Sequence, residues 1–346
     1  MKAKSLLSVL LLVLISTMAF ANGQQEAAER ELPAPPPFSS AASADDEGAV
    51  KPIKASEEPL KIAVLGLENN PFWIPVKEGA FKAAEELKSF NCTVEWIVPS
   101  GTSHGASVFG TAIESAMIQE YDAIATIAGD SGIVPYINKA VDAGIPVATF
   151  NSETDTENKR VFFVGADLYQ QGQRAGQYMA EALGGQGKVG VITGFFSVEA
   201  HELRRLGFED YLEENAPGIE IVDRVENQDQ ADIAYSLSQD MMTANTDLSA
   251  IYVTAGGPFG VAAAVEDAKK VGAVKIICYD FVDETMEYVQ KGVITGTIGQ
   301  GPFAQGHDPA VRLFNYIVAG EVPEAGRLLT EAAFVTKDNI SKYWSK

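Results

Sequence analysis

Pairs of aromatic and polar residues recur where the β-rich runs of this sequence end. Asn70 precedes Phe72 and Trp73, and Phe150 precedes Asn151. The same pairing continues along the chain at Phe195, Phe196, Phe259, Asp280, Phe281, Gln300 and Phe303. A ring face can stack on C–H groups, while an amide or a carboxylate engages hydroxyl groups. The combination predicts a site for a small ligand rich in hydroxyls, such as a neutral sugar or polyol.

Each candidate residue also has a structural explanation. A phenylalanine at a strand end usually belongs to the core, and Asn70 or Asn151 could simply turn the chain. Trp73 is the stronger candidate because it follows Pro71 in a loop. Glu202, in the first turn of a helix, could bind a ligand or merely favour the helix dipole. The residues that we predict to contact the ligand are Asn70, Phe72, Trp73, Asn151, Phe196, Glu202, Asp280 and Gln300.

Motifs for catalysis are missing from the sequence. It has no nucleophile elbow, zinc-protease motif, phosphate-binding loop or cysteine cluster. Its three histidines, His104, His201 and His307, fall in separate predicted elements. We therefore expect a protein that binds its ligand without a cofactor or metal and is not an enzyme. An exported enzyme that uses Glu202 and Asp280 as acid and base on a sugar is the alternative.

Short β-rich runs alternate with amphipathic helical stretches from Leu60 onward, which predicts parallel α/β sheets with helices on both faces. The predicted strands are 61–66, 93–98, 123–127, 146–150, 160–164, 188–193, 219–225, 250–254, 275–279 and 293–298. The predicted helices include 75–88, 132–143, 168–183, 199–214, 231–243, 259–271 and 303–319. Ten strands are many for one open sheet, so we expect two. In such sheets ligands bind beyond the carboxyl ends of the strands, where the candidate residues lie.

The first 59 residues differ from the rest. Lys2 and Lys4, an apolar run over 6–15 and the small residues Ala19 and Ala21 predict a signal peptide cleaved near Ala21, and hence a periplasmic protein. Residues 22–59 are rich in Ala, Glu, Ser and Pro, and we expect them to form a disordered acidic tether.

Charge and cysteine content exclude some classes of partner. A formal net charge of −21 argues against binding to nucleic acid or to an anionic membrane surface. Cys92 and Cys278 lie far apart in the sequence, which favours two buried thiols over a metal site or a disulfide.

The order of these motifs resembles that of the ribose-type periplasmic sugar-binding proteins of ABC transporters. The motifs are Asn70-Pro71-Phe72-Trp73, Gly144-Ile145-Pro146-Val147 before Phe150-Asn151, Arg204-Arg205-Leu206-Gly207-Phe208, Tyr279-Asp280 and Ile298-Gly299-Gln300-Gly301-Pro302-Phe303. The resemblance implies two Rossmann-like lobes, 60–166 plus 301–329 and 167–300 plus 330–346, joined by three hinge crossings. It also implies ligand contacts from Asn70, Phe72, Trp73, Asn151, Asp280 and Gln300. A monomer that closes on its ligand would then deliver it to a transporter permease, or signal to a chemoreceptor or histidine kinase.

Three departures from the family pattern bear on specificity. Asn151-Ser152 stands where ribose-like binders carry Asp-Arg, Glu202 replaces an arginine, and Gly256-Gly257 replaces Asn-Asp. We therefore expect an acidic cleft without positive charge, a neutral or cationic ligand, and a specificity unlike that of a typical ribose binder.

Overall fold

The computed structural model describes residues 32–68, 70–100 and 105–345. The strands in chain order are β1 Ala41–Ser43, β2 Leu60–Leu65, β3 Cys92–Ile97, β4 Ala123–Thr126, β5 Val147–Phe150, β6 Phe162–Gly165, β7 Gln186–Thr193, β8 Gly218–Glu226, β9 Leu248–Val253, β10 Lys275–Tyr279, β11 Gly296–Ile298, β12 Arg327–Leu329 and β13 Phe334–Val335. The helices are α1 Trp73–Lys88, α2 Ala106–Ile118, α3 Val134–Asp142, α4 Leu168–Leu183, α5 Glu199–Asn215, α6 Ala231–Ala244, α7 Pro258–Asp267, α8 Asp283–Lys291 and α9 Pro302–Ala319.

The strands form two sheets, which define two lobes. The N-terminal lobe has the strand order β1-β12-β6-β5-β4-β2-β3, with every neighbouring pair parallel. The C-terminal lobe has the order β13-β11-β10-β9-β7-β8 and is parallel except for β13. The predicted fold of two parallel α/β sheets is therefore confirmed.

Helices cover these sheets, so the central strands are buried completely. Every residue of β4, β5 and β6 is buried, which explains their continuous apolar runs. Helix α9 packs on α1 and on the N-terminal sheet, although it follows the whole C-terminal sheet in sequence apart from β13. None of the helices in the described ranges is both long and apolar enough to cross a membrane.

The chain passes between the sheets three times: after β6, between β11 and α9, and between β12 and β13. Hydrogen bonds tie the crossings together. Thr330 Oγ1 donates to the Gln300 carbonyl (2.6 Å), and the Thr330 N–H donates to the Gly165 carbonyl (2.9 Å). The three connections therefore lie side by side, as a hinge requires.

The predicted tether is wrong for residues 32–59. Strand β1 extends the N-terminal sheet by pairing with β12, and Asp45 forms an ion pair with Arg312 (2.5 Å). The buried Arg160 guanidinium lies 4.2 Å from the Phe38 ring centre and donates to the Phe38 carbonyl (3.3 Å). Composition underestimated this segment because much of its order comes from sheet pairing and ion pairs, which a count of apolar residues does not register. The predicted signal peptide and residues 22–31 lie outside the described residues.

Both cysteines are buried free thiols, as predicted. Burial raises the pKa of each thiol to about 12.

Candidate functional site

A narrow cleft lies between the two lobes, at the carboxyl ends of both sheets. Its lining comprises Asn70, Phe72, Trp73, Asn151 and Ser152 from the N-terminal lobe, Leu168, Ala200, His201, Arg204, Asp229, Ala255, Gly256 and Asp280 from the C-terminal lobe, and Gln300 from the hinge. The volume open to water-sized molecules is about 50 Å³. That is room for only a few waters. Six of the eight predicted site residues thus meet in one place.

The first loop builds one wall of the cleft. The Phe72 N–H donates to Asn70 Oδ1 (3.0 Å), and the Trp73 N–H donates to the Asn70 carbonyl (3.2 Å). Asn70 therefore forms the turn that begins α1, as its structural explanation suggested. The rings of Phe72 and Trp73 meet edge to face with centroids 5.2 Å apart. Trp73 is only 2% exposed, so it both lines the cleft and fills the core.

Asn151 and Asp280 share an unusual backbone conformation at two facing strand ends. Asn151 follows β5 with φ +66°, and Asp280 follows β10 with φ +74°. This left-handed region disfavours side chains with a Cβ, although Asn and Asp tolerate it best. Strained residues of this kind concentrate at ligand sites. Asn151 Nδ2 donates to Gln305 Oε1 (3.1 Å), which fixes the orientation of the amide.

A buried network joins Arg204, Gln300 and Asp280. An Nη of Arg204 donates to Gln300 Oε1, and Gln300 Nε2 donates to Asp280 Oδ1. The guanidinium also donates to Gln171 Oε1 (3.1 and 3.2 Å) and to the Thr254 carbonyl (3.0 Å). Its carbon lies 4.0 Å from the ring centre of Tyr279. These contacts hold a positive charge against the cleft.

The prediction of a cleft without positive charge is therefore wrong. The periodicity of α5 explains why: its buried residues are Ala200, His201, Arg204, Gly207, Phe208 and Leu212. This is a helical stripe that contains Arg204 and leaves out Glu202. Glu202 instead binds Arg205 through two oxygens (2.6 and 3.0 Å), and Arg205 also binds Glu209 (2.7 Å). The substitution of Glu202 for a family arginine does not put a carboxylate in the cleft.

Phe196 is also among the predicted ligand contacts. It is 41% exposed and does not line the cleft. Its N–H donates to Glu226 Oε1 (2.5 Å) at the end of β8. Because Glu202 also lies elsewhere, the alternative of a sugar-acting enzyme loses its proposed acid–base pair with Asp280.

His201 and Asp229 are cleft residues that the sequence patterns did not reveal. His201 Nδ1 accepts a hydrogen bond from the Phe195 N–H (3.1 Å), and burial lowers the pKa of the ring to about 3. The imidazole is thus neutral at physiological pH. Asp229 Oδ1 accepts from the Gly256 N–H (2.9 Å). A signal for Asp229 does exist in the sequence: the polar run Asn227-Gln228-Asp229 directly follows β8, as Asp280 directly follows β10.

Burial raises the pKa of Asp280 to about 6, while Arg204 and the Gln300 hydrogen bond act in the opposite direction. Asp229 adds to the rise because its negative charge lies near. The cleft thus combines the acidic side chains of Asp229 and Asp280 and the guanidinium of Arg204 with several amides. Within the described residues, no group of three or more His, Cys, Asp or Glu side chains could hold a metal ion.

Comparisons with known proteins agree with this geometry. A family model for the periplasmic binding protein domain matches residues 63–321. This chain belongs to that family. Among curated relatives, the D-ribose/D-allose-binding protein of Pseudomonas aeruginosa is 26% identical over 78% of this chain and 85% of its own length. The resemblance to sugar-binding proteins of ABC transporters is confirmed.

Solved structures give the same result for the fold of this periplasmic binding protein. GanP, a glucose-galactose binding protein from Geobacillus stearothermophilus, has a TM-score of 0.73 at 31% identity, covering 82% of this chain and 99% of GanP. A solute-binding protein of an ABC transporter from Burkholderia graminis, in complex with D-arabinose, has a TM-score of 0.77 at 25% identity. That match covers 84% of this chain and 99% of the other.

Proposed function

We propose that this protein captures a neutral sugar between its lobes and delivers it to the permease of an ABC transporter. The observation that carries the proposal is the cleft itself, where aromatic rings and hydrogen-bonding groups from both sheets converge. The relatives named for ribose, allose, glucose, galactose and arabinose support a monosaccharide. Export to the periplasm with cleavage near Ala21, and action as a monomeric binder without catalysis, complete the proposal.

The ligand contacts that we propose come from Asn70, Phe72, Trp73, Asn151, Asp280 and Gln300. The rings of Phe72 and Trp73 are nearly perpendicular, so one would stack on the C–H face of a sugar and the other would pack against the edge of that sugar. Asn151 would bind ligand hydroxyls from the N-terminal lobe and Asp280 would bind them from the C-terminal lobe, because both residues are held at strand ends that face the cleft. Arg204, His201 and Asp229 join this set on the basis of their position.

The charges in the cleft favour a neutral ligand even though a guanidinium is present. Hydrogen bonds to Gln171, Thr254 and Gln300 orient the Arg204 guanidinium, and the nearby carboxylate of Asp280 offsets its charge. Asp229 and Asp280 lie beside the same space. An acidic sugar would meet two carboxylates there, which is costly in a partly buried site.

Ligand capture requires the lobes to separate. A cleft that holds only a few waters cannot admit a sugar from solvent, and its walls are joined through the hinge at Gln300. A ligand stabilises the closed form to the extent that it touches both lobes better there than in the open form. The closed surface is then what the permease recognises. A chemoreceptor or kinase partner would recognise the same surface.

Isothermal titration tests the proposal. We expect one or more of D-ribose, D-allose, D-glucose, D-galactose and D-arabinose to bind with one site per chain and to remain chemically unchanged. Asn151→Gly should weaken that binding about tenfold, because one or two hydrogen bonds are lost. Asn91→Gly is the matched control, since Asn91 is exposed and also has a positive φ of 61°. Tight binding of glucuronate, or binding of none of the neutral sugars, would refute the proposal.

A further inference from the structure

A second and much larger groove lies directly beside the cleft. The two share Phe72, Asp280 and Gln300 as lining residues. The volume open to water-sized molecules is about 570 Å³ in this outer groove, against about 50 Å³ in the cleft. A ligand seated in the cleft would thus have an open space next to it on this side.

Both lobes and the hinge contribute to the outer groove. Pro71, Ile74 and Pro75 at the start of α1 form the N-terminal side. Phe281 to Glu284 form the C-terminal side, while Gly299, Pro302 and Phe303 lie along the hinge. Glu47, from the ordered N-terminal segment, and Tyr343, near the C-terminus, complete the lining.

The lining of the outer groove is rich in rings and apolar surface. Phe281 and Tyr343 lie with ring centroids 5.6 Å apart. The Phe281 ring also packs on the hinge at Gly299, where an added Cβ would come within 2.6 Å of it. Ile74 is 60% exposed, which leaves apolar surface in the wall without a covering partner. A planar or apolar group would bury this surface favourably.

The charges of the outer groove are of one sign. Glu47, Asp283 and Glu284 line it together with Asp280, and no Lys, Arg or His is among its described lining residues. Burial, followed by the charge of Asp308, raises the pKa of Glu47. An anionic group would be repelled here, whereas an apolar or aromatic group would not.

We propose that the outer groove is a binding site for the apolar or aromatic substituent of a glycoside whose sugar occupies the cleft. This rests on the proposed function, because Phe72, Asp280 and Gln300 line both the sugar site and the groove. The natural ligand is then a small aryl or alkyl glycoside rather than a free monosaccharide. Phosphorylated and uronic conjugates are excluded by the carboxylates.

The test compares ligands that share one sugar. The methyl, phenyl and 4-carboxyphenyl glycosides of D-ribose, D-allose, D-glucose, D-galactose and D-arabinose, as both anomers, are titrated beside the free sugars. For any sugar that binds, we expect one phenyl anomer to bind at least tenfold more tightly than its methyl counterpart. The 4-carboxyphenyl glycoside should lose most of that gain.

Two variants locate the effect. Ile74→Ala and Phe281→Ala should each reduce the preference for phenyl over methyl, while the affinity for the free sugar stays the same. Phe81→Ala is the matched control, because Phe81 is a 54% exposed residue of α1 outside the groove. If Phe281→Ala fails to fold, Ile74→Ala on the surface still tests the assignment.

The outcomes separate this inference from the proposed function. Free sugars that bind while every phenyl glycoside binds no better than its methyl counterpart would overturn the outer groove alone. A phenyl preference that persists in both variants would do the same. If neither sugars nor glycosides bind, the proposed function fails, and the inference fails with it.

Discussion

Asp280 should make the protein less stable at neutral pH, and its replacement by asparagine should relieve that cost. Burial raises the pKa of its carboxyl from 3.8 to about 6. The folded state therefore holds the proton more tightly than the unfolded state does. The stability from this group is fully present below pH 3.8 and is lost as the pH rises through 6. A difference of about two pKa units corresponds to about 3 kcal/mol at pH 8.

The perturbation is Asp280→Asn, which keeps an oxygen that can accept the hydrogen bond from Gln300 Nε2. We expect the free energy of unfolding to rise by up to about 3 kcal/mol at pH 8 and by about half as much at pH 5. Loss of the ionic partner near Arg204 works against this gain, so the pH dependence is the sharper signature. The same variant should bind sugar more weakly, because a residue tuned for the ligand often destabilises the free protein.

Urea unfolding at pH 5 and pH 8 measures the effect for the wild type and the variant. Glu202→Gln is the control. The ion pair of Glu202 with Arg205 lies outside the cleft, so its loss should lower the free energy of unfolding at both pH values. A gain for Asp280→Asn that is equal at the two pH values would refute the reasoning. Destabilisation at pH 8 would show that Asp280 is held in a favourable site instead.

Arg204→Met should lower the free energy of unfolding, measured in urea, by about 3 kcal/mol or more. The reason is that Gln171, Gln300 and the Thr254 carbonyl lose a buried hydrogen-bond partner. Arg205→Met is the comparison and should lower the free energy of unfolding by about 1 kcal/mol or less. A chain that begins at residue 54 should be less stable in urea than one that begins at residue 32, by a few kcal/mol, since it loses the β1–β12 pairing and the Asp45–Arg312 ion pair. Equal stability of the two chains would mean that this segment is a tether after all.

The fold was predictable because each of its signals is local. Apolar runs such as Ala123–Thr126 are buried on both faces, so the run itself predicts a strand without knowledge of the strands it pairs with. β1, β12 and β13 escaped prediction because they are two or three residues long and exist only through pairing with distant strands. Asp283 illustrates the same limit on a smaller scale. An aspartate at a helix start commonly caps the helix, but α8 has Val282 at its N-cap, and Asp283 Oδ1 accepts a hydrogen bond from Trp344 Nε1 (2.7 Å).

The site shows where position after a strand is enough to predict a cleft residue and where the face of the helix must be considered as well. Residues directly after a strand, such as Asn151 and Asp280, have little freedom to leave the cleft, because the strand end itself points there. Residues one helical turn further on do not share that constraint. For them the face of the helix decides, and Glu202 and Arg204 lie about 200° apart around α5. The stripe of Ala200, Arg204, Gly207 and Phe208 was readable in the sequence, and it would have assigned the guanidinium to the cleft and the carboxylate to the surface. Comparison with a family by motif alone treats both positions as equivalent, so helical periodicity has to be applied before a substitution at a helix start is read as a change of specificity.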